Sequence, residues 1–316
     1  MATINWYPGH MAKSRRMLIE QLRAVDAVVE LVDARAPLSS ANPDLRGLTR
    51  GKARLLVLNK ADLADDAATS RWLEYFREKN VMAMRFNSNG GRVKEMLERI
   101  ARATQPAVER AAARGVKKTV RLMVIGIPNV GKSTFINRLN GSAVAKASDR
   151  PGVTRAKQWV KLGPYLEMLD TPGMLPPRLD DQKRAQNLAF LGSVRDQILD
   201  TQELAGALLR RLLELKPDLA RARFKLPETA VNADGEALPL SDPSLPDEAL
   251  LEAACKGRGW LLSGGRFDLE RGAALVLDEF RAGKVGKISL ESPEAVSYTH
   301  LDVYKRQAMP RPAPTA

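Results

Sequence analysis

The run Gly126-Ile127-Pro128-Asn129-Val130-Gly131-Lys132-Ser133-Thr134 constrains this chain more than any other feature. An apolar, β-rich stretch from Val120 to Ile125 leads straight into it, and a helical pattern ending near Asn140-Gly141 follows. A glycine-bearing loop between a strand and a helix is the setting of a phosphate-binding loop. Its glycines let the backbone curl so that N–H groups point inward, at a helix N-terminus that already favours anions. Lys132 then sets a positive charge against the outer phosphates of a nucleotide, and Ser133 offers its hydroxyl to Mg2+. Asn129, Val130, Gly131 and Thr134 are the other nucleotide-binding candidates in this loop.

Further apolar runs lie at Ala27 to Val32, Leu55 to Leu58, Val81 to Phe86, Gln158 to Leu162 and Tyr165 to Leu169. Helical patterns such as Arg71 to Lys79 and Val93 to Thr104 fall between them. The alternation predicts an α/β domain, a mostly parallel sheet with helices on both faces, whose ligands gather at the carboxyl ends of the strands. The alanine-rich, basic stretch Pro106 to Lys118 reads as a separate helix joining the first three strands to the next three. After about Arg178 only helical patterns remain: Gln182 to Arg195, Gln202 to Leu215, Asp247 to Lys256 and Asp268 to Arg281. The expected division is a nucleotide domain over residues 1–180, a small all-helical domain over 181–290, and a disordered or artefactual tail over 291–316. Within that tail Val296 to Gln307 resembles translated adapter read-through and is assigned no function.

A second motif, Asn59-Lys60-Ala61-Asp62, ends the strand Leu55 to Leu58, where a loop reaches a base held in the adjacent crevice. A carboxylate at Asp62 accepts from the N1–H and 2-amino group of guanine, whereas adenine lacks that amino donor and presents a lone pair at N1. Asn87-Ser88 follows the third strand and is placed to lie beside the same base. Asp170-Thr171-Pro172-Gly173 ends another strand, with Asp170 set to hold Mg2+ through water and Gly173 to donate its N–H to the γ-phosphate. In Arg150-Pro151-Gly152-Val153-Thr154, the threonine is placed to close over the metal. Lys132 and Thr154 are thus candidate catalytic residues, and Ser133, Thr154 and Asp170 the candidate Mg2+ set. Ordinary GTPases run phosphate loop, switches, then base-reading motif. Here the base-reading pair comes first, so the domain reads as a circularly permuted P-loop GTPase, which is tolerable where old termini lie close together.

The 50 Lys and Arg residues outnumber 37 Asp and Glu, and a net charge of +13 suits a protein that sits on phosphate backbones. No apolar run approaches the roughly 20 residues of a membrane helix, and the N-terminus lacks a signal-peptide core, so a cytoplasmic protein with no membrane partner is expected. The single cysteine, Cys255, excludes an internal disulfide and reads as a small buried residue.

The motif order, Trp6-Tyr7-Pro8-Gly9-His10-Met11, Asp33-Ala34-Arg35-Ala36-Pro37 and the helical C-terminal region together resemble the YlqF/RbgA family of ribosome biogenesis GTPases, over about residues 4 to 290. The resemblance implies GTP and GDP as ligands, a role in late maturation of the large ribosomal subunit on its precursor and rRNA, no DNA partner, and hydrolysis stimulated by the particle. Met174 occupies the position after Gly173 where many GTPases carry a water-orienting glutamine. The family's histidine maps onto His10, which then becomes a catalytic candidate. Asn129 is similar to the asparagine with which potassium-activated GTPases hold K+. Two other readings stand beside this one: an RNA-binding assembly module with nucleotide as a structural ligand, and a GTPase serving another RNA task.

Overall fold

The computed structural model describes residues 11–43, 45–90, 92–141, 159–163, 165–169, 181–194, 200–232 and 234–296. The first part contains α1 (Met11–Arg23), β1 (Ala27–Asp33), α2 (Leu45–Leu48), β2 (Ala53–Asn59), α3 (Asp66–Glu78), β3 (Ala83–Arg85), α4 (Val93–Ala112), β4 (Val120–Gly126), α5 (Lys132–Asn140), β5 (Trp159–Gly163) and β6 (Leu166–Leu169). Six strands form one sheet in the order β3-β2-β1-β4-β6-β5, parallel throughout except for the antiparallel pair β5 and β6.

Every residue of β1 is buried, as expected of a central strand with both faces covered. Side chains alternate between the faces. Val29 and Leu31 join Leu55, Val57, Leu122 and Val124 beneath Met96 and Ile100 of α4 and Phe135 and Ile136 of α5. On the opposite face Val28, Met123 and Ile125 meet Leu18 and Leu22 of α1, while Val32, Leu56 and Leu58 meet Trp72 and Phe76 of α3. Val93 to Thr104 and the first part of Pro106 to Lys118, expected as two helices, form the single helix α4 with Pro106 inside it, and α4 ends at Ala112, short of the expected Lys118. Proline removes one helical N–H, but the flanking Ala, Arg and Glu residues favour helix strongly enough to carry the chain through.

The second part contains α6 (Gln182–Phe190), α7 (Thr201–Leu215), α8 (Pro217–Phe224), β7 (Thr229–Val231), β8 (Ala237–Pro239), α9 (Asp247–Arg258), α10 (Leu269–Arg281) and α11 (Pro293–Val296). It departs from the all-helical expectation in carrying the antiparallel pair β7 and β8, closed where the Asn232 side chain accepts from the N–H groups of Asp234 and Glu236. Pro217 starts α8 instead of ending a helix, because a residue at the first helical turn needs no N–H donor. The helix expected to run to Arg195 ends as α6 at Phe190, where Gly192 takes a left-handed φ of 70°.

The boundary near residue 180 is bridged by α6, whose Ala185 and Leu188 pack in the sheet's core while Ala189 and Phe190 pack with α7, α9 and α10. The tail expected from 291 is anchored at its start. The Leu290 N–H donates to the Arg35 carbonyl at 2.7 Å and the Ile288 N–H to that of Leu63 at 3.1 Å. The buried Glu291 carboxylate accepts from the N–H groups of Leu38 (2.9 Å) and Ser39 (3.0 Å), from the Ser39 hydroxyl and from Asn187 Nδ2 (3.2 Å). So many donors are needed because burial pushes this carboxyl's pKa up. The expected adapter-like stretch lies almost entirely outside the described residues, as does all of 297–316.

Candidate functional site

The carboxyl ends of β2 and β4, on either side of β1, carry the two loops singled out in the sequence. The phosphate loop turns between β4 and α5 through left-handed residues Asn129 (φ 58°) and Gly131 (φ 94°). Glycine is required at 131, since a Cβ there would stand 2.7 Å from Asn59 Nδ2. Gly126 is equally confined, with the Leu31 carbonyl 2.7 Å from where its Cβ would be. Lys132 opens α5 and folds back over the loop, its Nζ donating to the Ile127 carbonyl at 2.9 Å. Ser133 and Thr134 follow in the first turn of α5.

Asn59 joins the two loops across 71 positions of sequence, its Nδ2 donating to the Val130 carbonyl at 2.8 Å. Its Oδ1 accepts from the Ser88 hydroxyl at 2.8 Å and the Ser88 N–H at 3.2 Å. Lys60, in a left-handed conformation (φ 56°), donates to the Asn129 carbonyl at 2.7 Å and lies 3.4 Å from the Asp33 carboxylate. Ala61 is buried beside it, and Asp62 is exposed at the mouth. Asn87 accepts the N–H of Asn89 at 2.8 Å, which shapes the turn next to Ser88. The structure therefore brings Asn59, Lys60, Ala61, Asp62, Asn87, Ser88, Asn129, Val130, Gly131, Lys132, Ser133 and Thr134 to one edge of the sheet. His10, Thr154, Asp170 and Gly173 lie outside the described residues.

Two residues of this site, Asp33 and Arg35, had no chemical role in the sequence reading. Burial alone would raise the Asp33 carboxyl, but the charges of Arg35 and Lys60 and the bonds from Arg35 outweigh it and hold the group far below the usual carboxylate range. Burial lowers the Lys60 ammonium from its ordinary value, and Asp33 opposes that shift. Two opposite charges, Asp33 and Arg35, right at the end of the mostly apolar run Ala27 to Val32 are the available signal, obscured by the charge of Glu30 within the same run.

A glycine-bearing loop on a central parallel strand, bridged by asparagine and lysine from the neighbouring loop, defines the P-loop GTPase class, here in circularly permuted order. Residues 121–218 match a family model described as 50S ribosome-binding GTPase. The chain is 42% identical over 306 residues to Ribosome biogenesis GTPase A of Bacillus cereus, covering 96% of this chain and 98% of that one. It is also similar to the solved GDP-bound YlqF (TM-score 0.62, 26% identity, 88% of this chain and 100% of the other). The GNP-bound YlqF of T. maritima gives a TM-score of 0.59 at 27% identity, over 89% and 99% of the two chains. The chain belongs to the YlqF/RbgA family of ribosome biogenesis GTPases, and it is a GTP hydrolase.

Proposed function

We propose that the chain is a GTPase switch that assists late assembly of the large ribosomal subunit, hydrolysing GTP on the precursor particle. The observation that carries the nucleotide assignment is the Asn59 bridge to Val130, which locks a base-reading loop to a phosphate loop. Asp62 then stands exposed where a guanine edge would present its two donors. Asn87 and Ser88 flank the base, and Asn129 to Thr134 wrap the phosphates, with Lys132 leaving the Ile127 carbonyl for the more negative partner.

Mg2+ fits the hydroxyl of Ser133 at the start of α5, with Thr154 and Asp170 as the remaining proposed ligands; bound there, it would neutralise charge developing on the phosphates. The proposed K+ ligand is the Asn129 amide oxygen, which is compatible with the Asn129 Nδ2 bond to the Gly192 carbonyl at 2.6 Å. With methionine at 174, His10 is the residue proposed to orient the attacking water, with Thr154 closing over the metal and Gly173 donating its N–H to the γ-phosphate.

The names of its relatives support the ribosomal partner, and the net charge of +13 supports rRNA as the polymer touched. Several basic residues of the second part are used internally: Arg210 pairs with Asp247, Arg223 and Arg258 with Glu279, and Lys287 with Asp66. Lys225, Lys256, Arg266 and Lys284 are exposed and form no ion pair among the described residues. They are the proposed phosphate contacts, and replacing all four by alanine is expected to flatten the salt dependence of particle binding by up to about four phosphate equivalents.

The deciding test compares GTP and ATP hydrolysis, in KCl and in NaCl, with and without purified large subunits, for wild type, Asp62→Ala and His10→Ala. A slow, GTP-selective rate that subunits raise, that His10→Ala loses and that Asp62→Ala makes indifferent to the base supports the reading. A rate that subunits leave unchanged removes the ribosomal assignment, and equal rates in NaCl remove K+. Should Lys132→Ala still bind particles and complete their maturation, nucleotide is a structural ligand only.

A further inference from the structure

Asp33 lies at the end of the most buried strand, and both its oxygens are engaged by one side chain. Arg35 Nε donates to Oδ1 at 2.9 Å and Nη2 to Oδ2 at 2.8 Å, and the Arg35 N–H adds a third bond to Oδ1 at 3.0 Å. Both residues are about 1% exposed. A buried ion pair is a poor way to stabilise a core, since apolar residues of similar volume commonly do as well or better. What this pair does that apolar residues would not do is reach outward in two directions.

In one direction Asp33 Oδ2 faces Lys60 Nζ at 3.4 Å, the same ammonium that donates to the Asn129 carbonyl of the phosphate loop. In the other, Arg35 Nη1 donates to the carbonyls of Phe280 (3.2 Å) and Arg281 (3.3 Å), and its guanidinium lies 5.2 Å from the centre of the Phe280 ring. Those carbonyls close α10, where the helix dipole presents its negative end to a cation. The far end of Arg281 completes a second route. Its Nε and Nη2 donate to the carbonyls of Phe190 (3.1 Å) and Ala189 (2.9 Å), and Gly192, two residues on, receives the side chain of Asn129. The last residue of α10 is therefore linked to the phosphate loop twice, through Asp33 and Lys60 on one side and through the end of α6 on the other.

We propose that Asp33 and Arg35 are positioning residues of the nucleotide site, holding Lys60 on the phosphate loop and making that hold depend on the seat of α10, so that guanine-nucleotide affinity and docking of the helical part are thermodynamically linked. This rests on Asn59 to Asp62 being the base-reading loop. Linkage is reciprocal, so if α10 tightens nucleotide binding, nucleotide must steady the end of α10 to the same extent.

The test uses the full chain, fluorescent mant-GDP, and hydrogen exchange of the Phe280–Gly283 amides. Replacing Asp33 alone would strand a buried guanidinium, so the principal variant is the double change Asp33→Asn with Arg35→Gln, and Arg35→Lys keeps the charge while losing the fork. Charge-assisted hydrogen bonds of this kind support an expected rise of about tenfold in mant-GDP Kd and in KM for GTP, with kcat at saturation within about twofold. Placed on a Lys60→Met background, the double change is expected to add little further loss, because it acts through Lys60. GDP should slow exchange at Phe280–Gly283 in wild type and fail to do so in the double variant. Glu291→Gln, which loosens the same junction away from Asp33, should leave Kd within about twofold.

Wild-type affinity in the folded double variant, or no GDP-dependent protection of the end of α10 in wild type, overturns the proposal. Loss of affinity by Glu291→Gln equal to that of the double variant also overturns it, since general loosening then suffices. If Lys60→Met leaves mant-GDP binding intact, the base-loop reading falls and takes the proposal with it. If Lys60→Met weakens binding while the double variant does not, the proposal alone falls.

Discussion

Gly131→Ala should damage this protein for two separable reasons. Gly131 has φ 94°, and an L side chain in the left-handed region costs roughly 1–2 kcal/mol. The added Cβ would also lie 2.7 Å from Asn59 Nδ2, so Asn59 must withdraw. Withdrawal leaves the carbonyl of Val130, a residue 1% exposed, without its 2.8 Å donor, and an orphaned buried acceptor costs roughly 1–3 kcal/mol. Together these amount to about 3 kcal/mol, a fall in Tm on the order of 6–12 °C for a domain of this size. The measurement is thermal unfolding of nucleotide-free protein, because bound nucleotide would mask the loss by mass action. The decisive arm repeats the substitution in an Asn59→Ala background. There the clash has nothing to strike, and Gly131→Ala should cost only the backbone share, about 1–2 kcal/mol. Equal costs in the two backgrounds would refute the claim that Gly131 is reserved for the Asn59 bridge.

Three further outcomes follow from the same geometry. Gly206→Ala and Gly257→Ala should each destabilise the helical part by at least about 2 kcal/mol, because each Cβ would press within 3.0 Å of backbone that cannot yield, that of Asp247 and that of Phe224 and Lys225; chemical denaturation reads this directly. Burial, with Asp268 and Glu252 adding to it, pushes the Cys255 thiol up to about 11, so Ellman's reagent at pH 8 should react only as the protein unfolds. Burial would raise the Glu279 carboxyl, but Arg223 and Arg258 hold it below its ordinary value. Its contribution to stability is therefore complete above the unfolded carboxylate value and lost as pH falls through the lower folded one, and Glu279→Gln should flatten that acid limb in pH-dependent unfolding.

The sheet was legible because period and position agreed. The runs at Ala27, Leu55 and Val120 are β-branched or leucine-rich and end in turn residues, and each became a parallel strand at nearly the expected bounds. The two loops are legible as places in the fold, 59–62 at the end of β2 and 126–134 at the end of β4 with glycine where φ is positive at 131, whereas the donation of Asn59, Lys60 and Lys132 to loop carbonyls is not. What escaped depended on neighbours distant in sequence. In sequence Pro106 marks the start of a separate helix, yet it sits inside α4 where strong helix formers flank it. The pair β7 and β8 was missed because three-residue strands carry too little alternation to detect. In sequence Glu291 belongs to the expected tail, and only the fold shows that Leu38, Ser39 and Asn187 converge on its carboxylate. Asp33 and Arg35 were visible as a signature without a mechanism, since their purpose lies in Phe280 and Arg281, some 245 positions away.

The permuted order changes what the site is attached to while leaving the site itself intact. Strand β1 pairs with β2 on one side and β4 on the other, so the proposed base-reading loop and the glycine-bearing loop meet across β1 whichever of them the chain makes first. The sheet's connectivity supplies that adjacency, and α4 merely returns the chain from one side to the other. In the ordinary order, the segment carrying Asp170 and Gly173 would lead onward to the base-reading strand. Here β6 ends at Leu169 and α6 begins at Gln182, so the segment proposed to sense the γ-phosphate runs straight into the helix that belongs to both cores. The same helix ends beside Gly192, which accepts from Asn129, and is gripped there by Arg281. A change at the phosphates thus has a covalent path into the helical part through 170–181, and hydrogen-bonded ones through Asn129 and Lys60. For the proposed switch this arrangement is economical, because the segment proposed to sense the nucleotide and the helix shared by both cores are consecutive in the chain.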